Sequence, residues 1–210
     1  MLIKTMGILV DYLEAKAMAD RYGIRSVESA YLDSAEAAVE FSKHKPIALK
    51  ALSGNALHKT KSGLVALNLS GENEIRSAFR NLAEKASAYK PYKILGQRMV
   101  SGGLEIILGG SVDPQFGKLV LIGLGGIYVE TFRDFALRIC PVTRYDAESM
   151  IEQLHSKSVI AQDDKARGML VDLILSVSRM FSDNEVSELD LNPVILHDGT
   201  YDAVDIRILR

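Results

Sequence analysis

The sequence contains very little cysteine and carries almost no net charge. Its only cysteine, Cys140, cannot form an internal disulfide, which is typical of a protein from the reducing cytoplasm. The formal net charge is −2, and no basic run alternates with aromatic residues, so neither nucleic acid nor a membrane surface is indicated as a partner. We therefore expect a cytoplasmic protein that binds neither nucleic acid nor membrane.

Long hydrophobic runs and two common nucleotide-binding motifs are also missing. The apolar stretch MGILV is interrupted by Asp11 and is too short for a signal peptide or a membrane span, so we expect a mature chain. No segment fits the P-loop pattern G-x-x-x-x-G-K-[ST]. The segment GLGGIYVETFRD has Tyr128 where the dinucleotide-binding fingerprint needs its last glycine. These absences exclude the P-loop and dinucleotide-binding classes.

The composition and periodicity that are present belong to a globular protein. The 210 residues are 48% hydrophobic and 25% charged, enough to bury one core or to form two small lobes. Apolar periodicity predicts helices over residues 8–22, 33–43, 72–89, 147–155 and 164–181. Strands are predicted over residues 45–53, around 65–69, over 92–100, 103–113 and 117–126, and in the closing stretch after 187.

Strands and helices are mixed without strict alternation, which predicts an α+β fold of two lobes. The character of the sequence changes after Lys90-Pro91. We therefore assign residues 1–95 to an N-terminal helix and a smaller lobe, and residues 96–210 to a larger lobe that ends in a hairpin.

The closing stretch ELDLNPVILHDGTYDAVDIRILR predicts a strand pair with a defined register. Asp198-Gly199 is a strong signal for a two-residue turn, which would pair His197 with Thr200. Counting back along the ladder places Asn192 opposite Asp205 and Asp190 opposite Arg207. The other face then pairs Leu189 with Ile208 and Leu191 with Ile206, an apolar side suited to packing.

The polar face of this hairpin is a candidate metal site. It carries Glu188, Asp190, Asn192 and Asp205, and side chains directly opposite one another have Cβ atoms about 5 Å apart. Oxygen ligands suit Mg²⁺, and without a cation the acids would repel one another. The alternative is an amphipathic hairpin whose polar face is only solvated.

Three further features have both a functional and a structural interpretation. The glycines at 123, 125 and 126 either form a tight bend or let the backbone approach a phosphate. Lys50 is either a surface lysine with a buried stem or a phosphate-binding charge. His58 and Lys59 lie on a Ser/Thr/Gly segment, and an imidazole is a competent nucleophile toward a phosphoryl group, although most lone histidines are structural or exposed.

Taken in order, the segments resemble a known family over nearly the whole chain. These segments are LVDYLEAKAMADRYGI, KPIALKALSGNALHKTKSGLV, ILGQRMVSGGLEIILGGSVDPQFGKLVLIGLGGIYVETFRDFALRICPV and ELDLNPV followed by DAVDIR. The ensemble resembles the ATP-grasp β subunit of the ADP-forming acyl-CoA (acetyl-CoA) synthetases and, more distantly, succinyl-CoA synthetase β subunits. The resemblance implies an ATP-grasp fold with ATP or ADP and Mg²⁺ as cofactors.

The resemblance also implies roles for individual residues. Lys50 matches a lysine that contacts the nucleotide phosphates, and Glu105 an acid expected near the ribose. Gln97, Arg98, Met99 and Val100 match the segment beside adenine, and Lys59, Gly125 and Gly126 are further candidates for nucleotide contact. Asp190, Asn192 and Asp205 match the Mg²⁺ ligands. His58 matches a histidine proposed to carry phosphate between subunits, with Lys50 and Arg133 stabilising the transferred charge.

The function implied is the nucleotide half of an acid–CoA ligase reaction, which moves phosphate between a phosphohistidine and ADP. Thioester chemistry would belong to a CoA-binding α subunit, so the chain alone would be incomplete. Lys61 and Leu64 stand where the family has an aspartate and paired glycines. This departure favours the alternative, a non-catalytic or regulatory nucleotide-binding module with a decayed phosphate loop. An ATP-grasp enzyme with an unrelated acid acceptor is a third possibility.

Overall fold

The computed structural model describes residues 7–53, 63–126 and 134–210, and the described chain forms two compact units. The small unit comprises residues 27–101, and the large unit comprises residues up to 26 together with residues from 102 onward. The helices are α1 (Tyr12–Arg21), α2 (Ala35–Ser42), α3 (Glu72–Ala86), α4 (Arg144–Gln153), α5 (Lys157–Ile160) and α6 (Asp164–Asp183). The strands are β1 (Ser29–Leu32), β2 (Ile47–Leu52), β3 (Val65–Leu69), β4 (Lys93–Arg98), β5 (Leu104–Asp113), β6 (Gly117–Leu124), β7 (Phe135–Ile139), β8 (Glu188–His197), β9 (Thr200–Ala203) and β10 (Ile206–Leu209).

The small unit is an antiparallel sheet in the order β1-β4-β2-β3, with α2 and α3 packed on one face. The buried face of β2 contributes Ile47, Leu49 and Ala51, which pack with helix residues such as Ile75 and Phe79. Side chains alternate along a strand, so the intervening residues of β2 point to the opposite face. One face of this sheet is therefore committed to the core.

The caps of the first two helices follow local sequence signals. Helix α1 ends at Arg21, close to the predicted end at residue 22, and is followed by Gly23, whose φ of +76° suits glycine at this position. Helix α2 begins at Ala35, two residues after the predicted start at residue 33, because Ser34 is the cap residue whose hydroxyl accepts the hydrogen bond from Ala37 N.

The large unit is built on a sheet in the order β10-β8-β5-β6-β7, with β9 also paired to β8. Helix α6 contacts β5 and β6, and α1 contacts β10. Gly110 on β5 leaves room for the Phe181 ring of α6, because a Cβ at this glycine would lie 3.0 Å from the ring. The apolar side chains of β8 and β10, including Leu189, Leu191 and Ile208, are buried. Among the described residues, no helix is long and apolar enough to cross a membrane.

The observed units differ from the predicted division at residues 95 and 96. Strand β4 spans that boundary and lies wholly within the sheet of the small unit. Helix α1 belongs to the large unit, where backbone hydrogen bonds join Ile8 to Arg210 and Val10 to Ile208. These contacts join segments that are far apart in the sequence, and they leave no local signal in either segment. The prediction therefore grouped helix α1 with the small unit, which follows it directly in the sequence.

Three elements were missed or misplaced in the predictions. Strand β7 was not predicted, and neither was the single-turn helix α5. Helix α4 begins at Arg144, earlier than the predicted start at Ala147, because Thr143 and Asp146 form a capping box. That T-x-x-D spacing was a readable signal for the helix start.

One lysine from the sheet donates hydrogen bonds to the backbone carbonyl groups at the C-terminus of α6. Lys118 Nζ on β6 donates to the carbonyl oxygens of Phe181 (2.6 Å), Ser182 (3.2 Å) and Asn184 (2.7 Å). The last carbonyls of a helix have no partner within the helix and carry partial negative charge, so a cation there is doubly favourable. Lys118 therefore ties the longest helix to the sheet.

We predict that Lys118→Met destabilises the protein by about 1–3 kcal/mol, because the methionine keeps the apolar stem but leaves the helix carbonyls without a charged donor. Urea denaturation of the two proteins measures the difference. Arg144→Met is the control: Arg144 pairs with Asp172 on the surface, where both side chains are exposed, and loss of this pair should cost less than about 1 kcal/mol. Equal losses in the two variants would contradict this role for Lys118.

Candidate functional site

The closing hairpin has the register that the sequence predicted. His197 pairs with Thr200 across the turn, and both turn residues have positive φ, +47° at Asp198 and +68° at Gly199. The partner strand is divided into β9 and β10, but the pairing with β8 continues without a shift. Arg207 lies opposite Asp190, as predicted.

The two faces of the hairpin also separate as predicted. Leu189 pairs with Ile208 and Leu191 with Ile206, and all four side chains are buried. Between β9 and β10, the Asn192 N–H donates to the Asp205 carbonyl oxygen at 3.2 Å, so these two residues lie opposite one another. The amide of Asn192 and the carboxylate of Asp205 therefore start from neighbouring backbone positions.

The electrostatics of this face are unfavourable to negative charge. Burial, followed by the neighbouring charge of Asp205, raises the pKa of Asp190 from 3.8 to about 6, and Glu188 adds to the effect. Arg207 opposes the rise and also lies 3.7 Å from Glu188. Carboxylates that repel one another and are partly removed from water would be stabilised by a bound cation.

The donor set on this face fits a hard divalent cation. Within the described ranges, no group of three or more His, Cys, Asp or Glu residues is arranged to hold a metal ion. The hairpin instead offers Asp190, Asp205 and the amide of Asn192, all oxygen donors. Mg²⁺ commonly binds one or two carboxylates and keeps waters or phosphate oxygens as its other ligands. The residues therefore fit Mg²⁺, and their assignment as its ligands stays a prediction.

Glu105 lies against the glycines that follow β6. Gly125 N–H donates to the Glu105 carbonyl oxygen at 2.8 Å, and a Cβ at Gly125 would lie 2.8 Å from the Glu105 carbonyl carbon. Gly126 has a φ of +69°, and a Cβ there would lie 3.2 Å from Glu105 Oε2. The glycines thus bring the backbone against Glu105 and leave its side chain exposed. Three of the predicted nucleotide contacts are therefore neighbours.

In the small unit, Lys50 and Gln97 lie on the sheet face opposite α2 and α3. Gln97 is opposite Ala48 in the ladder, and Lys50 is two residues further along β2, so all three share a face. Gln97 is almost completely buried, with 1% of its surface exposed, and its Nε2 donates to Ser29 Oγ at 3.1 Å. Lys50 lies within β2, inside the strand predicted over residues 45–53. Its side chain is partly buried.

The Arg98 side chain is held inside the small unit. Its Nε donates to Glu28 Oε2 at 2.8 Å, its Nη1 donates to the Ser42 carbonyl oxygen, and the guanidinium lies 4.7 Å from the Phe41 ring centroid. The hydrogen bond from Arg98 is the main reason that the pKa of Glu28 falls below its ordinary value. Arg98 thus joins β4 to α2, which leaves its backbone as the part suited to nucleotide contact.

Met99 and Val100 follow β4, where the chain passes from the small unit to the large one. Met99 N–H donates to the Pro46 carbonyl oxygen at 3.2 Å, and both side chains are partly buried. Gly102 and Gly103 come next, with φ of +69° and +101°. This connection has the glycines expected of a segment whose backbone approaches a ligand.

Three predicted site residues, His58, Lys59 and Arg133, lie outside the described residues. In the sequence analysis, Leu64 departs from the family pattern of the phosphate loop. In the structure it is a core residue with 0% exposure. Its carbonyl oxygen accepts the Ala51 N–H at 2.8 Å. The presence of leucine at 64 is therefore explained by packing of the small unit.

Asp134, at the end of the glycine-rich segment, has a role that the sequence did not reveal. Its buried carboxylate accepts the backbone N–H groups of His155 (2.8 Å) and Ser156 (2.9 Å), while its carbonyl oxygen accepts the Leu124 N–H at 3.0 Å. Asp134 thus fixes where the chain returns to the sheet after the glycines. A contact spanning more than twenty residues leaves no sequence signal.

Comparison with known proteins identifies the class. A model of the ATP-grasp domain matches residues 4–209. The chain therefore belongs to the ATP-grasp domain family, which confirms the predicted fold. It is 35% identical to acetate–CoA ligase (ADP-forming) I subunit beta of Pyrococcus furiosus, over 93% of this chain and 89% of that protein. It is 33% identical to the II subunit beta of the same organism, over 96% and 91%.

Solved structures support the same assignment. The fold is similar to the dinucleotide-forming acetyl-coenzyme A synthetase 1 of Ca. Korarchaeum cryptofilum in complex with coenzyme A, Ca-AMPCP and HgCl+, with a TM-score of 0.86 and 35% identity over 96% of this chain and 93% of that one. It is similar to PH1788 of Pyrococcus horikoshii, with a TM-score of 0.87 and 32% identity over 99% and 94%. The resemblance read from the motifs is thereby confirmed.

We predict that Asp190→Asn removes a pH-dependent loss of stability. Because the folded-state pKa is raised, the folded protein binds the proton more tightly, and stability present below pH 3.8 is lost as the pH rises through about 6. The full shift corresponds to about 3 kcal/mol, and since Asp190 retains some water contact we expect the variant to gain about 1–2 kcal/mol at pH 7.

Urea denaturation of metal-free protein at pH 4 and pH 7 measures the difference between variant and parent. Asp198→Asn is the control, because this carboxylate lies on the same hairpin with 97% of its side chain exposed. A gain at pH 7 that persists undiminished at pH 4 would show that the raised pKa is not the cause.

Proposed function

We propose that this chain is the nucleotide-binding β subunit of an ADP-forming acyl-CoA synthetase, with ATP or ADP and Mg²⁺ as cofactors. The polar face of the closing hairpin carries the proposal, because it pairs an amide with a carboxylate beside a second carboxylate whose pKa is raised. The β-subunit relatives match along nearly their whole length and support the same function. The balanced charge and the single cysteine are consistent with a cytoplasmic enzyme.

Each proposed residue has a task that its chemistry suits. Asp190, Asn192 and Asp205 would hold Mg²⁺, which when bound neutralises phosphate charge and orients the phosphate oxygens. Lys50 would contribute a point charge to the phosphates, and Arg133 would stabilise the charge that develops on the transferred group. Phosphoryl transfer demands little covalent chemistry from a protein, so positioning and charge neutralisation are the main contributions.

The remaining contacts would orient the nucleoside. The exposed Glu105 carboxylate is suited to accept hydrogen bonds from ribose hydroxyls, and the glycines packed against it allow close approach. The segment of Gln97, Arg98, Met99 and Val100 would lie beside adenine, and Lys59 beside the phosphates. His58, once phosphorylated, would transfer the phosphoryl group to ADP, which breaks one P–N bond, forms one P–O bond and leaves a free imidazole.

The thioester chemistry would belong to a CoA-binding partner subunit. In the single-chain acetate–CoA ligases (ADP-forming) of Archaeoglobus fulgidus, the matched region is only 29% and 25% of the protein. The rest of those chains is available for the steps that this fold does not perform. A solved relative, 35% identical with a TM-score of 0.82, is described with Mg-AMPPCP and with a phosphohistidine segment pointing towards the nucleotide site.

The alternative of a decayed, non-catalytic module loses part of its support. It depended on Lys61 and Leu64 in the phosphate loop, and Leu64 is a buried core residue. Lys61 lies outside the described residues and is the remaining departure from the family pattern.

We expect ADP with Mg²⁺ to raise the melting temperature more than ADP with a chelator, because the hairpin would hold the nucleotide through the ion. Asp205→Ala should abolish this metal-dependent increment and, with the partner subunit present, lower turnover at least about 100-fold while the fold is retained. Differential scanning fluorimetry and a coupled assay measure the two effects. The control is Asp198→Asn on the exposed turn of the same hairpin, because asparagine tolerates the positive φ at this position.

A metal-dependent increment that survives unchanged in the Asp205→Ala protein would move the ion to another site. Retained turnover in that variant would rule out a catalytic role for the hairpin. Lack of turnover in the parent with its partner, despite nucleotide binding, would favour the non-catalytic module.

We also expect γ-labelled ATP to label a histidine when this chain and its partner are incubated with Mg²⁺. His58→Asn should remove the label from this chain, whereas His155→Asn should not, because His155 is not the proposed acceptor and the variant keeps the backbone N–H that donates to Asp134. Acid-labile, base-stable label in the parent measures phosphohistidine. A parent that binds Mg-ATP but takes no label would end the relay hypothesis.

A further inference from the structure

The loop that carries Asp205 is held by the N-terminal segment of the chain. Tyr12, in the first turn of α1, is buried with 6% of its surface exposed, and its hydroxyl lies 3.3 Å from the Val204 carbonyl oxygen. Val204 directly precedes Asp205, so this carbonyl belongs to the peptide unit that ends at the Asp205 Cα. Rotation of that peptide unit would turn the Cα–Cβ bond of Asp205, and the Tyr12 hydroxyl opposes the rotation.

The peptide units directly before and after this one are held by β8. Val204 N–H donates to the Pro193 carbonyl oxygen at 2.9 Å, and the Asp205 carbonyl oxygen accepts the Asn192 N–H at 3.2 Å. The backbone around Asp205 is thus fixed between the strand that carries Asn192 and the ring of Tyr12. The hairpin ladder alone supplies only the first of these two supports.

Arg25 provides a second attachment just before this loop. Its carbonyl oxygen accepts the Ala203 N–H at 3.0 Å, and its Nε donates to Asp202 Oδ1 at 2.8 Å. Asp202 is buried, with 7% of its surface exposed, and its other oxygen lies 2.9 Å from His197 Nε2. A buried carboxylate needs charged or hydrogen-bonded partners, so this contact strongly favours one position of β9. Residues 202–205 are therefore attached to the N-terminal segment at both ends.

We infer that the N-terminal segment, through Tyr12 and Arg25, positions the Asp205 carboxylate for the divalent ion. The inference rests on the proposed function, because the ion is what the carboxylate has to reach. A site with only two carboxylates and one amide depends on the orientation of each ligand. Groups that orient metal ligands typically change metal affinity by about 10–100-fold when they are removed. Neither residue contacts the nucleotide or the ion in this role, so both are positioning residues.

Tyr12→Phe tests the inference, because it removes only the hydroxyl and keeps the buried ring. Tyr22→Phe is a matched control from the end of the same helix. The Tyr22 hydroxyl donates to Asp183 Oδ2 at 3.2 Å and accepts from Asn184 Nδ2 at 3.0 Å, so its hydrogen bonds go to the end of α6. Arg25→Gln is a second variant, which tests the other attachment if the first fails to fold.

The readout is the Mg²⁺ concentration that gives half of the metal-dependent increment in melting temperature at saturating ADP. We expect Tyr12→Phe and Arg25→Gln each to raise this concentration about threefold to tenfold, which is below the usual effect of groups that contact a metal ligand directly, since both act through backbone. Tyr22→Phe should leave it unchanged. Direct titration with Mn²⁺, followed by its electron paramagnetic resonance signal, gives a second readout that does not depend on turnover.

A purely structural role would lower the metal-free melting temperature without changing the metal dependence. The inference is therefore overturned if Tyr12→Phe and Arg25→Gln both keep the half-saturating Mg²⁺ concentration within twofold of the parent. An equal rise in Tyr22→Phe would overturn it as well. A parent protein without any Mg²⁺-dependent increment would overturn the metal site itself, and the inference with it, which separates the two failures.

Discussion

The hydrogen-bonded register of the closing hairpin is the constraint on which the candidate site depends. Side chains alternate along a strand, so a slip of one residue would bury Asp190 and expose Leu189 and Leu191. Two features prevent that slip. The turn at Asp198-Gly199 accepts positive φ at both positions, and the leucines of β8 are buried with Ile206 and Ile208. The register that buries these apolar side chains therefore also places Asn192 opposite Asp205.

This arrangement has an electrostatic cost that is itself informative. Partial burial and the charge of Asp205 raise the pKa of Asp190 to about 6, so ionisation of Asp190 without a bound cation lowers the stability of the folded protein. The buried apolar side of the hairpin offsets this local loss of stability. Such local conflicts between stability and charge are expected where a protein binds a ligand. The unfavourable ionisation of Asp190 beside Asp205 thus supports a cation site on this face.

The sequence was sufficient for features with a local or periodic signal. The alternation of ELDLN and the D-G turn led to the correct register, and the order of motifs led to the correct family. The sequence was not sufficient where the determining contact is distant in sequence. Arg98 was predicted to contact the nucleotide, and the structure shows its guanidinium bound by Glu28 and Ser42, which leaves its backbone for that contact. Leu64 looked like a damaged loop, yet it packs in the core. Neither fact can be read from neighbouring residues.

The sequence by itself therefore determined the fold class, the family and the chemistry of the hairpin, because turn propensity and strand alternation act over a few residues. Only the tertiary structure decided that residues 7–26 pack with the end of the chain. The Tyr12 hydroxyl meets the Val204 carbonyl across 192 residues of sequence, and Arg25 meets Asp202 across 177. Contacts of that kind arise when two elements bury their apolar faces together, and no pattern within either element specifies its partner.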